Sequence, residues 1–242
     1  MEPAQIDLFR EQGWLRLAGF YSCRRMAPIK QVVLDALKRS KIWATGKSLS
    51  RRLQDLPVFQ QNGQLASLVA VPGLHDACIT RELIAVMTEL AGRLPTSSQA
   101  ARLLLSLPHQ GTWTLQGLNW HVDMAVKPGE LAHGVQSFIL IDDVAPRGGA
   151  TLALAGSHRA VLRGGTTASR LREALKTSPD LAASLRDMGL AVIEMSGRAG
   201  DIFLMDMRLL HTPSINATKN LRMMATARYF FDHPTSLPGP RT

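Results

Sequence analysis

The stretch Gly200-Asp201-Ile202-Phe203-Leu204-Met205-Asp206-Met207-Arg208-Leu209-Leu210-His211-Thr212-Pro213-Ser214-Ile215-Asn216-Ala217-Thr218-Lys219-Asn220-Leu221-Arg222 decides how the rest of the chain is read. Residues 201 to 206 form a short apolar run opened by a glycine, the pattern of a buried strand. Beyond His211 the sequence turns polar. Asn216 belongs to the residue types that close turns, so the chain is expected to reverse and return as a strand over 221 to 231, bringing Arg222 back beside His211. Similar segments bounded by Gly and Pro recur at 112 to 122, 135 to 141, 150 to 154 and 190 to 195. Helical patterning interrupts them only around 169 to 176 and 179 to 188. Many short strands in succession predict an antiparallel sandwich or jelly roll for this half of the chain.

Upstream the periodicity is helical. Residues 3 to 12 carry Ile6 and Phe9 at helical spacing and stop at Gly13, and a brief strand follows from Trp14 to Phe20. Over 27 to 39, Ile29, Val32, Val33, Ala36 and Leu37 trace an apolar stripe, with Pro28 near the start. Residues 76 to 94 repeat the pattern through Leu83, Ile84, Met87 and Leu90, with Asp76 as the expected cap. Between 40 and 73 it fades, and loops with short helical turns are expected. The predicted class is α+β, mainly β, with N-terminal helices packed outside the sheet. We expect one domain over 1–242, helix-rich over 1–100 with a jelly-roll core over 101–242, because 242 residues lie within what one barrel or sandwich holds.

Hydrophobic residues make up 45% and charged residues 19% of the chain, which fits a packed core and excludes a disordered or fibrous protein. The longest apolar runs, such as Leu65 to Val71, fall far short of the roughly 20 residues of a membrane-spanning helix. The opening Met1-Glu2-Pro3-Ala4-Gln5-Ile6-Asp7 carries no secretion pattern, so a cytoplasmic location is expected, with Cys23 and Cys78 reduced. A net charge of +9 is spread thinly, densest at Arg24-Arg25, Lys38-Arg39-Ser40-Lys41 and Arg51-Arg52. Without interleaved aromatic residues it describes a basic surface better than a nucleic-acid platform, and it mildly favours an anionic small molecule.

The chemistry concentrates at Trp120-His121-Val122-Asp123 and at His211. On a strand, an imidazole and a carboxylate two residues apart share a face and can bind one ion. Two histidines and a carboxylate are the donor set that holds non-haem Fe(II) and leaves three positions open. Satisfied or surface histidines are the competing reading, since the chain has 7 of them. Arg222, returning beside the metal, offers two parallel hydrogen bonds to a dicarboxylate. Arg228 falls on the same face of a regular strand and is a candidate contact for an anionic substrate, with a salt bridge as its alternative. Trp120 points to the opposite face and is read as core packing.

Taken in order, Phe9-Arg10-Glu11-Gln12-Gly13-Trp14, Trp120-His121-Val122-Asp123, Pro146-Arg147-Gly148-Gly149 leading to Gly156-Ser157-His158-Arg159, Gly200-Asp201 before His211, and then Asn216, Thr218 and Arg222 make a combined pattern. It resembles the phytanoyl-CoA dioxygenase family of Fe(II)/2-oxoglutarate-dependent oxygenases. The resemblance implies a double-stranded β-helix, with iron bound by His121, Asp123 and His211. It also implies that Arg222 grips the far carboxylate of 2-oxoglutarate, that Gln136 adds a cosubstrate contact, and that His158 is structural. Ala155 and Pro213 depart from the family pattern; Pro213 cannot donate a hydrogen bond, so the cosubstrate carboxylate is expected to be anchored by fewer groups or by Thr212 or Ser214 instead. The implied reaction consumes O2 and 2-oxoglutarate, releases succinate and CO2, and hydroxylates an unactivated C–H bond of a small molecule: a natural-product intermediate, amino acid or acyl derivative. Hydroxylation, with desaturation as the alternative outcome, is expected over halogenation, because a halogenating relative needs a small residue where Asp123 stands. The alternative is a non-catalytic, cupin-like metal-binding or sensor protein, which would have no use for Arg222. Residues 40–110 are expected to shape substrate access.

Overall fold

Alternation along the last strand organises the molecule. The computed structural model describes residues 1–44, 47–48, 56–124, 133–159 and 165–231. In β10 (Arg222–Phe231), Met223, Ala225, Ala227, Tyr229 and Phe231 join one buried cluster, whereas Met224 joins another. Arg222, Thr226 and Arg228 share the Met224 face and line a cavity. That period of two is what an antiparallel strand imposes when both faces are covered.

β10 is one member of a five-stranded antiparallel sheet in the order β1-β8-β5-β10-β4, with β1 at Trp14–Leu17, β4 at Ser97–Ser106, β5 at His133–Leu140 and β8 at Ile202–Asp206. A three-stranded antiparallel sheet, β7-β6-β9, is built from β6 (Thr151–Ala155), β7 (Ala191–Glu194) and β9 (His211–Pro213). Its open edge is continued by one bridge between His121 and His211. Phe138, Leu140, Phe203, Met205 and Met224 of the large sheet meet Ala153 of the small one to form the filling between them. Helices α1 (Pro3–Gln12), α2 (Cys23–Arg39) and α5 (Arg81–Ala91) cover the other face of the large sheet. There Met26, Val33, Leu37, Leu83 and Met87 pack with Ile139, Ile202, Leu204 and Ala225. Helices α6 (Gly165–Thr177) and α7 (Leu181–Asp187) cover the small sheet through Leu171, Leu181 and Leu185 against Leu154, and Trp120 packs there too. Each fully buried side chain of this size contributes about 1.5–3 kcal/mol. Two facing antiparallel sheets with helices outside are the predicted α+β class, consistent with a jelly roll, but mixed rather than mainly β, because the helices described hold more residues than the strands.

Several expectations need correction. Residues 112 to 122 do not form a strand; His109 and Gly117 adopt left-handed φ values of 57° and 70°, and the segment touches a sheet only at His121. β4 was not foreseen and straddles residue 100, because its first residues, Ser97 to Ala100, are exposed at the sheet edge and show no alternation. The helix read over 76 to 94 divides into α4 (Leu74–Cys78) and α5, and the Thr80 hydroxyl, not Asp76, caps α5 by accepting from the Leu83 N–H. α2 opens at Cys23 on a Ser22 cap and carries Pro28 inside it.

The stretch read as loops holds an 11-residue helix, α3 (Val58–Leu68), packed on β4, besides the short β2 (Trp43–Ala44) and β3 (Lys47–Ser48). Arg51 and Arg52 lie outside the described residues. Among those described, no helix is long and apolar enough to cross a membrane.

Candidate metal centre

The loop bearing His121 and Asp123 is laid against the connection from β8 to β9, which leads into His211. His121 and His211 exchange backbone hydrogen bonds at 2.9 and 3.0 Å, and the N–H groups of Asp123 and Met124 both donate to the Met207 carbonyl at 3.0 Å. The bridge does for His121 what a full strand was expected to do. The three side chains converge, with one potential ligand atom from each lying within 4.8 Å of the others. His211 Nε2 stands 3.5 Å from Asp123 Oδ2, and His121 Nε2 stands 4.0 Å from Oδ1.

The Nδ1 atoms face backbone carbonyls, that of Asn119 at 2.8 Å from His121 and that of Leu209 at 3.1 Å from His211. With Nδ1–H donating there, each Nε2 presents a lone pair, the arrangement that fixes the tautomer and ring orientation of a metal-binding histidine. Burial lowers the His121 pKa, which favours its neutral, ligating form.

Asp123 is held by Arg228 as well. The Arg228 guanidinium donates from Nε to Oδ2 at 3.0 Å and from Nη2 to Oδ1 at 2.6 Å, and its Nη1 reaches Gln99 at 3.3 Å. Burial pushes the Asp123 carboxyl up, but the adjacent His211 ring and the Arg228 fork together outweigh burial and hold it down at about 2. Arg228 therefore sits on the expected face with the salt bridge that was its alternative reading, and with Asp123 as the partner.

Arg222 is 3% exposed. Its Nε donates to the Gly149 carbonyl at 2.8 Å, and its Nη1 is buried without a partner. Burial without a counter-charge lowers this guanidinium to about 9. The turn that returns Arg222 is knotted around Asn216, whose Oδ1 accepts from the N–H and hydroxyl of Thr218 and whose Nδ2 donates to the carbonyls of Ser106 and Asn220. Gly149, at φ 76°, lies where a side chain would meet Ser106 Oγ at 2.7 Å and Asn216 Cβ at 2.8 Å. The turn predicted from Asn216 is present and is tied to the end of β4 through Ser106.

Arg222, His121, His211, Gln136 and Arg228 all line one cavity of about 400 Å³. Gln136 is buried on β5, donating from Nε2 to the Thr226 hydroxyl at 2.9 Å. Thr212 and Ser214 do not line the cavity; their hydroxyls donate to the carbonyls of Pro213 and Ala150. Thr151 of β6 lines it instead, as do Asn119, Arg102 and, from α3, Asn62 and Ala66. None of these was foreseen: lone polar residues on an irregular loop, an exposed edge strand and an unpredicted helix leave no periodic signal. His158 is structural in its surroundings, buried with Nε2 facing the Arg10 carbonyl at 3.2 Å.

A family model described as phytanoyl-CoA dioxygenase matches residues 9–224. Among solved structures of similar fold, AviO1 from Streptomyces viridochromogenes Tue57 is 20% identical, with 98% of this chain and 97% of that one covered at a TM-score of 0.58. EvdO2 from Micromonospora carbonacea var. aurantiaca, complexed with 2-oxoglutarate, is 16% identical over 99% and 95% at 0.59. EctD from S. alaskensis, with 2-oxoglutarate and 5-hydroxyectoine, is 20% identical over 95% and 76% at 0.59. At such identities the likeness establishes the fold. No curated protein matches the sequence.

Proposed function

We propose, from the premise that this chain belongs to the phytanoyl-CoA dioxygenase family and is thus an Fe(II)/2-oxoglutarate-dependent oxygenase, that His121, Asp123 and His211 hold the Fe(II) and that Arg222 grips the far carboxylate of 2-oxoglutarate. The whole chain is taken as one oxygenase domain. Two imidazole nitrogens and a carboxylate oxygen are a donor set suited to non-haem Fe(II). Bound there, the iron with 2-oxoglutarate and O2 supplies the oxidant, and the release of succinate and CO2 follows from that chemistry.

The protein's own residues do the rest. The Asn119 and Leu209 carbonyls aim the two rings. Arg228 fixes the carboxylate of Asp123 in its ionised form. Arg222 pairs with the incoming dianion, and the Gln136 amide lies in the same wall for a further contact. Phe138, Leu104 and Ala66 add apolar surface to the wall, which helps orient a substrate C–H bond and exclude water.

The observation that carries the reading is the buried, half-satisfied Arg222 in the same cavity as the two histidines. An uncompensated buried cation is costly, and a dicarboxylate relieves that cost. A sensor or simple metal binder has no need of it. We assign hydroxylation rather than halogenation as the outcome because Asp123 fills the carboxylate position. Neighbours described as a carbocyclase and an epimerase share the fold, so the assignment rests on that residue and not on the architecture. An anionic substrate would find Arg102, which has no partner among the described residues, more available than Arg228, which already clasps Asp123. The test is succinate release dependent on both Fe(II) and 2-oxoglutarate and abolished in His211→Ala. Binding without consumption of 2-oxoglutarate would favour the sensor, and chlorinated product formed in chloride would overturn hydroxylation.

A further inference from the structure

The cosubstrate accounts for only part of the polar wall of this cavity. 2-Oxoglutarate at neutral pH is a dianion whose polar atoms are all acceptors. It can take a hydrogen bond from Arg222 Nη1, but it has none to give. Two side chains in the wall ask for more: Gln136 leaves its Oε1 unpartnered among the described residues, and Asn62 leaves both amide atoms so. Asn62, in the second turn of α3, is 7% exposed, lines the cavity, and has neither Oδ1 nor Nδ2 partnered among the described residues. Because both amide atoms are free, exchanging the assignment of oxygen and nitrogen does not alter the demand.

Its neighbour Gln61 behaves differently. The Gln61 amide donates to the Leu56 carbonyl at 2.7 Å and accepts from Gln110 at 2.9 Å, which ties α3 to the loop after β4. Gln61 is thus used to hold the helix down, and Asn62 is left turned to the cavity. A buried amide with no partner is destabilising, and native proteins keep very few of them. The same cavity wall includes apolar surface from Ala66, Leu104 and Phe138.

We infer that Asn62 is a recognition residue for the prime substrate, and that this substrate carries against α3 a neutral group that both donates and accepts a hydrogen bond, a hydroxyl or a carboxamide. The inference rests on the reading of this cavity as the oxygenase site. It excludes a bare hydrocarbon chain at that position.

The test uses the full chain loaded with Zn(II), a diamagnetic substitute for Fe(II), and 2-oxoglutarate. The probes are hexanamide, 1-hexanol and N,N-dimethylhexanamide, the last lacking a donor, with dissociation constants measured by ligand-observed NMR for wild type, Asn62→Leu and Asn62→Ala. Hexanamide or 1-hexanol should bind wild type at least tenfold more tightly than either variant, and N,N-dimethylhexanamide should not discriminate between them. The ligand-free variants should match or exceed wild type in Tm, by about 2–4 °C for Asn62→Leu, since no protein partner is lost. Three outcomes overturn the inference: no binding of either donor probe to wild type, equal affinities across the three proteins, or variants that lower Tm or weaken 2-oxoglutarate as much as the probes. If wild type fails to bind 2-oxoglutarate at all, the oxygenase reading falls. The probe measurements repeated on the unloaded protein then still judge Asn62 by itself.

Discussion

Arg222→Met removes a buried cation while keeping most of its volume, and its two effects should run in opposite directions. The side chain is 3% exposed, makes one hydrogen bond to Gly149 and leaves Nη1 unpaired. Hydrogen bonds to charged groups contribute about 1.5–3 kcal/mol each, so two parallel bonds to a carboxylate amount to about 3–6 kcal/mol. At about 1.4 kcal/mol per factor of ten, 2-oxoglutarate affinity should fall roughly 10²- to 10⁴-fold. Folding loses one hydrogen bond from a charged donor, about 1.5–3 kcal/mol, and is relieved of an unpaired buried ion whose penalty is several kcal/mol. The Tm of the ligand-free variant should therefore be unchanged or higher. Titration calorimetry of 2-oxoglutarate into Mn(II)-loaded protein and thermal unfolding without ligand measure the two arms. A variant that binds 2-oxoglutarate within a few-fold of wild type while unfolding at lower temperature would show that Arg222 is a structural residue and refute the reasoning.

Arg228→Gln removes a charge that holds Asp123 at about 2, so its carboxyl rises and protons compete with metal at higher pH; the acid limb of Mn(II) affinity against pH should move upward, and superimposable limbs would contradict the role given to Arg228. Gly149→Ala places a Cβ against Ser106 and Asn216 at positive φ, a strain of about 1–3 kcal/mol, and should lower Tm by roughly 3–10 °C while weakening 2-oxoglutarate binding; an unchanged Tm would mean that the turn yields. Iodoacetamide should modify exposed Cys23 and spare Cys78, which is buried with its thiol pushed up to about 12. Mass spectrometry showing rapid labelling of Cys78 would count against the packing of α4.

The legible parts of the fold were those in which one element writes a period. β10 alternates because both faces are covered, so the shared side of Arg222 and Arg228 could be read directly from their even spacing. α1 was placed to the residue by its apolar spacing and Gly13. The triad was legible for a different reason: the donor chemistry is restricted to a few residue types, and Asn216 announced the turn that returns Arg222. What the sequence withheld depends on contacts between distant segments. His121 is held by a single bridge to His211, which has no periodicity. β4 is an edge strand whose exposed start looks like a loop, and α3 carries Asn62 and Gly63, poor helix formers that tertiary packing overrides. The cavity wall built by these two elements was hidden with them, and with it Asn62, Arg102 and Ala66.

Iron-edge anomalous diffraction from crystals equilibrated anaerobically with Fe(II) tests the central assignment most directly. One strong peak at coordination distance from His121 Nε2, His211 Nε2 and an oxygen of Asp123 is the predicted result, and it should disappear in His211→Ala. No peak there, or a peak bound to other side chains, would contradict it.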